Sequence, residues 1–87
     1  MNLNILHVID SGGLYGAEMV LLNLAAEQMK TGNRSVIASI GLQNEEVKPL
    51  EAEAALLGIQ AAPFRFRNGP NLLGALSILR YAHAGEF

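Results

Sequence analysis

The chain has 87 residues and a formal net charge of −2, with 51% of residues hydrophobic and 16% charged, where soluble domains average about 25% charged. That length holds one small domain or a piece of a larger one, and six scattered basic residues disfavour nucleic acid as a partner. With no cysteine, disulfides and thiolate metal sites are excluded, and His7 and His83 lie far apart without a carboxylate pattern, so no structural metal is expected.

The N-terminal Met1-Asn2-Leu3-Asn4 lacks the basic region of a signal peptide. No apolar run approaches the ~18 residues that span a bilayer, so no transmembrane segment is expected and a cytoplasmic location is the default. Leu3 to Ile9 reads as a strand, apolar at nearly every position, as a parallel strand covered on both faces would be. A glycine-rich turn, Ser11-Gly12-Gly13-Leu14-Tyr15-Gly16, leads into a helix from Gly16 or Ala17 to Thr31. Its expected core stripe is Ala17, Val20, Leu21, Leu24 and Ala25, with Glu18 and Lys30 suiting the macrodipole and Gly32 ending it. Ser35 to Ile40 is the second strand, followed by a loop from Gly41 to Glu46. The second helix starts near Pro49, or earlier with Asn44 or Glu46 as cap, and stops at Gly58.

Ile59 to Phe64 is a third strand, whose Pro63 argues for a strand end or an edge. Arg65 to Gly69 reads as loop, and the third helix runs from Pro70 to Ala84 with Leu72, Leu73, Leu76, Leu79 and His83 at helical spacing. The result is α/β: β-α-β-α-β-α with a Rossmann-like parallel sheet in the strand order 3-2-1.

Between a buried strand and an apolar helix, a glycine turn is a candidate phosphate site, because unpaired N–H groups and the positive end of the helix dipole favour anions. Three readings compete. The glycines serve only a tight turn and close packing. Alternatively they bind a dinucleotide, although the first glycine of G-x-G-x-x-G is missing and Ile40-Gly41-Leu42-Gln43 offers no ribose-binding acid. No Lys-Ser/Thr follows Gly16, so it is not a P-loop. The third reading rests on likeness. The run from Ile5 through His7, Asp10, Ser11, Gly12, Gly13, Tyr15, Gly16, Ala17 and Glu18 to Ala25 resembles the start of the family 4 (group 1) retaining glycosyltransferases of GT-B type. Those enzymes carry two Rossmann-like domains across a cleft.

The resemblance implies that such an N-terminal domain holds the acceptor, a C-terminal domain holds the nucleotide-sugar donor, and Gly12, Gly13 and Gly16 reach the donor diphosphate without metal or cofactor. The candidate substrate-binding set is Ser11, Gly12, Gly13, Gly16 and Glu18, with no catalytic residue assigned. Each has a plainer role: Glu18 suits a helix start, and Asp10 and Ser11 are turn formers that stand where open α/β sheets bind ligands. His7 reads as a packed, hydrogen-bonded histidine, and Arg65 with Arg67 either meets an anionic acceptor or is merely solvated.

By the same resemblance the 87 residues correspond to a truncated half of an N-terminal domain, with the donor-binding domain absent and no activity of their own. An uncovered first strand would then favour self-association through that strand. The alternative from another class is a non-catalytic α/β module that binds a partner chain or a small anion.

Overall fold

In the computed structural model the described residues are 3–10, 13, 15–42, 45–66 and 72–87, the side chains of 72–75 excepted. Three strands, β1 (Asn4–Ile9), β2 (Arg34–Leu42) and β3 (Gln60–Phe66), alternate with three helices, α1 (Gly16–Lys30), α2 (Pro49–Leu56) and α3 (Leu72–Ala84). The strands form one parallel sheet in the order β1-β2-β3, so the fold is mixed α/β and Rossmann-like.

Register and alternation assign the faces. His7, Ile37 and Ala61 form one cross-strand row, and Gly41 stands beside Arg65 in another. That side of the sheet carries the core, where Ile37 meets Leu22 and Ala25 of α1, Leu50 and Ala54 of α2, and Ile59 just before β3. On the other side Phe64 meets the Tyr81 ring of α3 edge-on at 5.4 Å, and Tyr81 stacks on Phe87 at 5.9 Å. Residues Ser35 to Ser39 of β2 are buried one after another, as a central strand covered on both faces requires.

The ladder has a readable phase. Arg34 N–H donates to the Leu3 carbonyl at 2.9 Å, so in a parallel pair Leu3, Ile5, His7 and Ile9 turn their backbone groups to β2, and Asn4, Leu6 and Val8 turn theirs outward. Carried through the β2–β3 register, the same phase aims position 63 away from β2. Pro63 therefore sits mid-strand without removing a ladder bond, which an outer strand permits.

Helix ends follow from local chemistry. Gly32 and Gly58 take φ of 87° and 74°, the left-handed region glycine enters without strain, and end α1 and α2. Lys48 is the N-cap of α2, Pro49 its first helical residue, and the Glu51 carboxylate accepts the Lys48 N–H at 3.1 Å. That fixes the start of the second helix, with neither Asn44 nor Glu46 as its cap.

Several expectations are corrected. β2 extends through Gly41 and Leu42, and β3 through Arg65 and Phe66, where loops were expected; the two strands pair along that whole length. The α1 stripe is rotated in part: Ala25 is buried and Leu21 packs on the core as expected, but Glu18 and Leu22 are also buried, while Val20 is 67% and Leu24 47% exposed. Met19 to Met29 is apolar on most sides, so periodicity could not choose the face; contact with β2 does. In α3, Leu76, Leu79 and His83 are exposed while Ile78, Tyr81 and Ala82 are half-buried, because the aromatic contacts set the helix rotation. The side chains of Leu72 and Leu73 lie outside the described residues.

Burial ranks the cost of truncation. Ile37→Ala, at the centre of the core, should lose about 3–4 kcal/mol and leave little native protein, whereas Leu56→Ala, on the open side of α2, should change stability by under about 0.5 kcal/mol. Urea denaturation of both variants checks the ranking.

Candidate functional site

Because the strands are parallel, their carboxyl ends come to one rim, where Asp10 follows β1, Gly41 and Leu42 close β2, and Arg65 and Phe66 close β3. Open α/β sheets bind ligands at this end.

Lys48 reaches into the rim from the start of α2. Its side chain is 6% exposed, a burial tolerable for a charged residue only with partners. It donates to Asp10 Oδ1 at 3.0 Å and to the Ile40 carbonyl at 2.5 Å, with Glu45 Oε2 at 3.6 Å. The ladder phase turns the Ile40 carbonyl toward β1 just past Ile9, where β1 ends, and the lysine takes that acceptor.

Arg65 closes the other half of the rim. Its Nη2 donates to both Glu51 oxygens, at 2.8 and 2.7 Å, and to the Glu46 carbonyl at 2.9 Å. Its Nη1 donates to the Ser39 carbonyl at 3.2 Å. Burial pushes the Glu51 carboxyl up, but the Ser39 hydroxyl, the Arg65 guanidinium and the Lys48 N–H together outweigh this and hold it below its ordinary value of 4.5. The buried Ser39 hydroxyl favours the carboxylate from outside normal hydrogen-bond geometry. Arg65 is thus a clamp between β3 and α2, which corrects the reading of it as an anion contact or a solvated charge; Arg67 lies outside the described residues.

Gly41 is required by close approach. A Cβ there would come within 2.9 Å of Lys48 Cε and 3.1 Å of Arg65 Nη1. Both side chains are long, but both are fastened by the bonds above, so a methyl group would have to displace one of them.

Of the glycine turn, Gly13, Tyr15 and Gly16 are among the described residues. Gly13 is buried, and a Cβ on it would lie 3.0 Å from the Tyr15 ring. Gly16 is exposed, opens α1, and has open space where its Cβ would be. Tyr15, the extended N-cap residue, gives α1 no side-chain cap, and the Met19 N–H to the Tyr15 carbonyl at 3.1 Å closes the first turn. Glu18, third in the helix, is buried there. Ser11 and Gly12 lie outside the described residues. What this arrangement can do chemically is offer helix-start N–H groups and a positive dipole end to an anion.

His7 belongs to the packing. Gln28 Oε1 is bonded by both His7 Nε2, at 2.8 Å, and the Ser35 hydroxyl, at 3.0 Å. An amide oxygen only accepts, so in this arrangement Nε2 carries the proton. Among the described residues no group of histidines and carboxylates is placed to hold a metal ion, and no helix is long and apolar enough to cross a membrane.

Sequence reasoning missed Lys48, Gly41 and Glu51. The only advance signal was Lys48-Pro49-Leu50-Glu51, which places an acid three residues past the cap. Comparison with protein-family models, with curated proteins and with solved structures finds no match.

Two measurements check the rim. Gly41→Ala should lose about 1–3 kcal/mol in urea denaturation, the cost of overpacking a filled site. Glu51 has a depressed pKa, so its contribution is complete above its ordinary value of 4.5 and is lost as pH falls through the lower folded value. Stability of the parent chain should therefore drop more steeply below about pH 4.5 than that of Glu51→Gln, which starts lower at neutral pH.

Proposed function

We propose that this chain is the N-terminal portion of a family 4 retaining glycosyltransferase of GT-B type, which transfers a sugar from a nucleotide-sugar to an acceptor not yet identified. The turn after β1 faces the donor diphosphate and the acceptor cleft. What supports the reading is the start of α1: Gly16 and Ala17 open the helix, and Tyr15 before them gives it no side-chain cap. Backbone N–H groups at Gly16 and Ala17 would meet the diphosphate, and the missing Cβ of Gly16 leaves room for its approach. In this reading the strands are the 3-2-1 half of a doubly wound sheet, and the nucleoside is held by a second domain. The protein works without metal or cofactor, in the cytoplasm.

A second reading is favoured by the charges on the rim. Lys48 and Arg65 are both paired with carboxylates, so these cations are already neutralised before any ligand arrives. That suits a non-catalytic module binding a small anion weakly, or a partner chain.

Titration with inorganic pyrophosphate, followed through backbone amide resonances, tests the placement. The expected result is saturable shifts at Gly13, Gly16 and Ala17 that are lost in Gly16→Val while its other resonances stay native. Shifts that avoid these three amides, or that survive in Gly16→Val, contradict it. The 87 residues alone are expected to turn over none of a panel of nucleotide-sugars, since positioning and charge stabilisation of the transition state would need the second domain; measurable transfer would contradict that division of labour.

A further inference from the structure

The β1–β2 ladder ends at the pair Ile9 and Ser39. Asp10 comes next, the residue from which the chain leaves β1 for the turn that enters α1 at Gly16. Past Ile9 no ladder pair with β2 holds that departure; the Asp10 side chain does, bonded at 3.0 Å to the ammonium of Lys48, thirty-eight residues on. The other end of the turn is set by α1, which packs Leu22 and Ala25 into the core.

An ion pair with one partner 74% exposed is ordinarily weak, since holding two flexible side chains in one geometry costs entropy that a screened attraction hardly offsets. Here one partner is already immobile. Lys48 is the N-cap of α2; its N–H donates to Glu51 Oε1 at 3.1 Å, and its carbonyl accepts the Ala52 N–H at 3.1 Å. Its stem passes close over Gly41, where a Cβ would come within 2.9 Å of Cε, and its ammonium donates to the Ile40 carbonyl. Backbone, stem and head of Lys48 are thus held by β2 and α2 without help from Asp10, so the bond between them has only the short aspartate side chain left to order. A cation fixed in this way sets where Asp10, and with it the start of the turn, can stand.

We propose that Lys48 is a positioning residue for the anion contact at the start of α1, acting through Asp10. This rests on the proposed placement of a diphosphate at the Gly16 and Ala17 amides. Lys48 touches no ligand in this role; at 6% exposure its side chain stays inside the rim. It holds the strand side of the turn in the arrangement that the anion meets, so that binding need not order the turn again. Positioning and attraction by charge differ in the sign of one effect. As charges alone, Lys48 favours a nearby anion and Asp10 opposes it. As the two halves of one strut, both favour it.

Pyrophosphate titrations of the 87-residue chain and its variants, followed through backbone amide resonances at a temperature where every spectrum is native, decide between the two. Asp10→Asn keeps the shape of the exposed partner and removes its charge, and Lys48→Met keeps the stem over Gly41. The proposal expects Asp10→Asn to weaken pyrophosphate by about three- to tenfold, what one unfixed side chain costs a binding event. Lys48→Met should weaken it at least as much, and the double variant no more than Lys48→Met, because both changes cut one link. Glu45→Gln alters the other carboxylate beside the ammonium, at 3.6 Å, but not the residue that leads into the turn, and should not weaken binding. Without ligand, relaxation measurements should show the Gly13 amide losing order in Asp10→Asn and Lys48→Met while the Val36 and Ile37 amides keep theirs. A pair that only stabilised the fold would lower the urea midpoint and leave Gly13 order and pyrophosphate affinity as in the parent. Asp10→Asn that binds pyrophosphate as tightly as the parent, or more tightly, overturns the proposal, and so does an equal loss in Glu45→Gln. A parent chain without saturable shifts at Gly16 and Ala17 contradicts the diphosphate placement itself, and the proposal falls with it.

Discussion

The burial of β2 on both faces and along both edges is the constraint on which the other features depend. Five consecutive residues, Ser35 to Ser39, are shut away from water. Their backbone groups must then be paired completely, because an unmet buried N–H or C=O costs as much as a lost hydrogen bond. A parallel neighbour on each side meets that requirement, and β1 and β3 supply it. Their alternation in turn presents Ile37 to Leu22, Ala25, Leu50 and Ala54, so the helix positions that become core are decided by the strand they meet. Where β1 ends before β2 does, the leftover Ile40 carbonyl draws the Lys48 ammonium into the rim.

That history explains what could be read from the residues in advance. Element types and their order were legible because glycines, prolines and β-branched runs act locally: Gly32 and Gly58 end helices through positive φ, and Pro49 begins one. Helix faces were not. The α1 segment has apolar residues nearly all round, and the choice of Leu22 over Val20 and Leu24 belongs to the sheet. The ends of β2 and β3 were missed for a related reason, since Gly41 looks like a breaker and Arg65 like a surface charge until the two stand side by side in the register. Of the candidate site, the place of Gly16 at the helix start was legible. The rim behind it was not, because a lysine and an arginine give no sign in sequence that their partners lie up to thirty-eight residues away.

The rim also bears on function. Lys48 with Asp10 ties the end of β1 to the start of α2, and Arg65 with Glu51 ties β3 to α2. Such paired charges fix geometry more than they add affinity for an incoming anion. In both proposed readings, attraction for an anion would rest with the helix start, where fixed backbone dipoles act over a short distance. This division, with side chains holding the platform and backbone groups offering the contact, is common to the glycosyltransferase reading and the binding-module reading. They differ in what is expected above the platform.

Native-state hydrogen exchange tests the primacy of β2 most directly. If β2 organises the fold, the Val36, Ile37 and Ala38 amides are the slowest to exchange and open only with global unfolding, while amides of α3 exchange through smaller openings. Amides of α3 or β3 that outlast those of β2, or β2 amides that exchange well before the chain unfolds, would contradict the account.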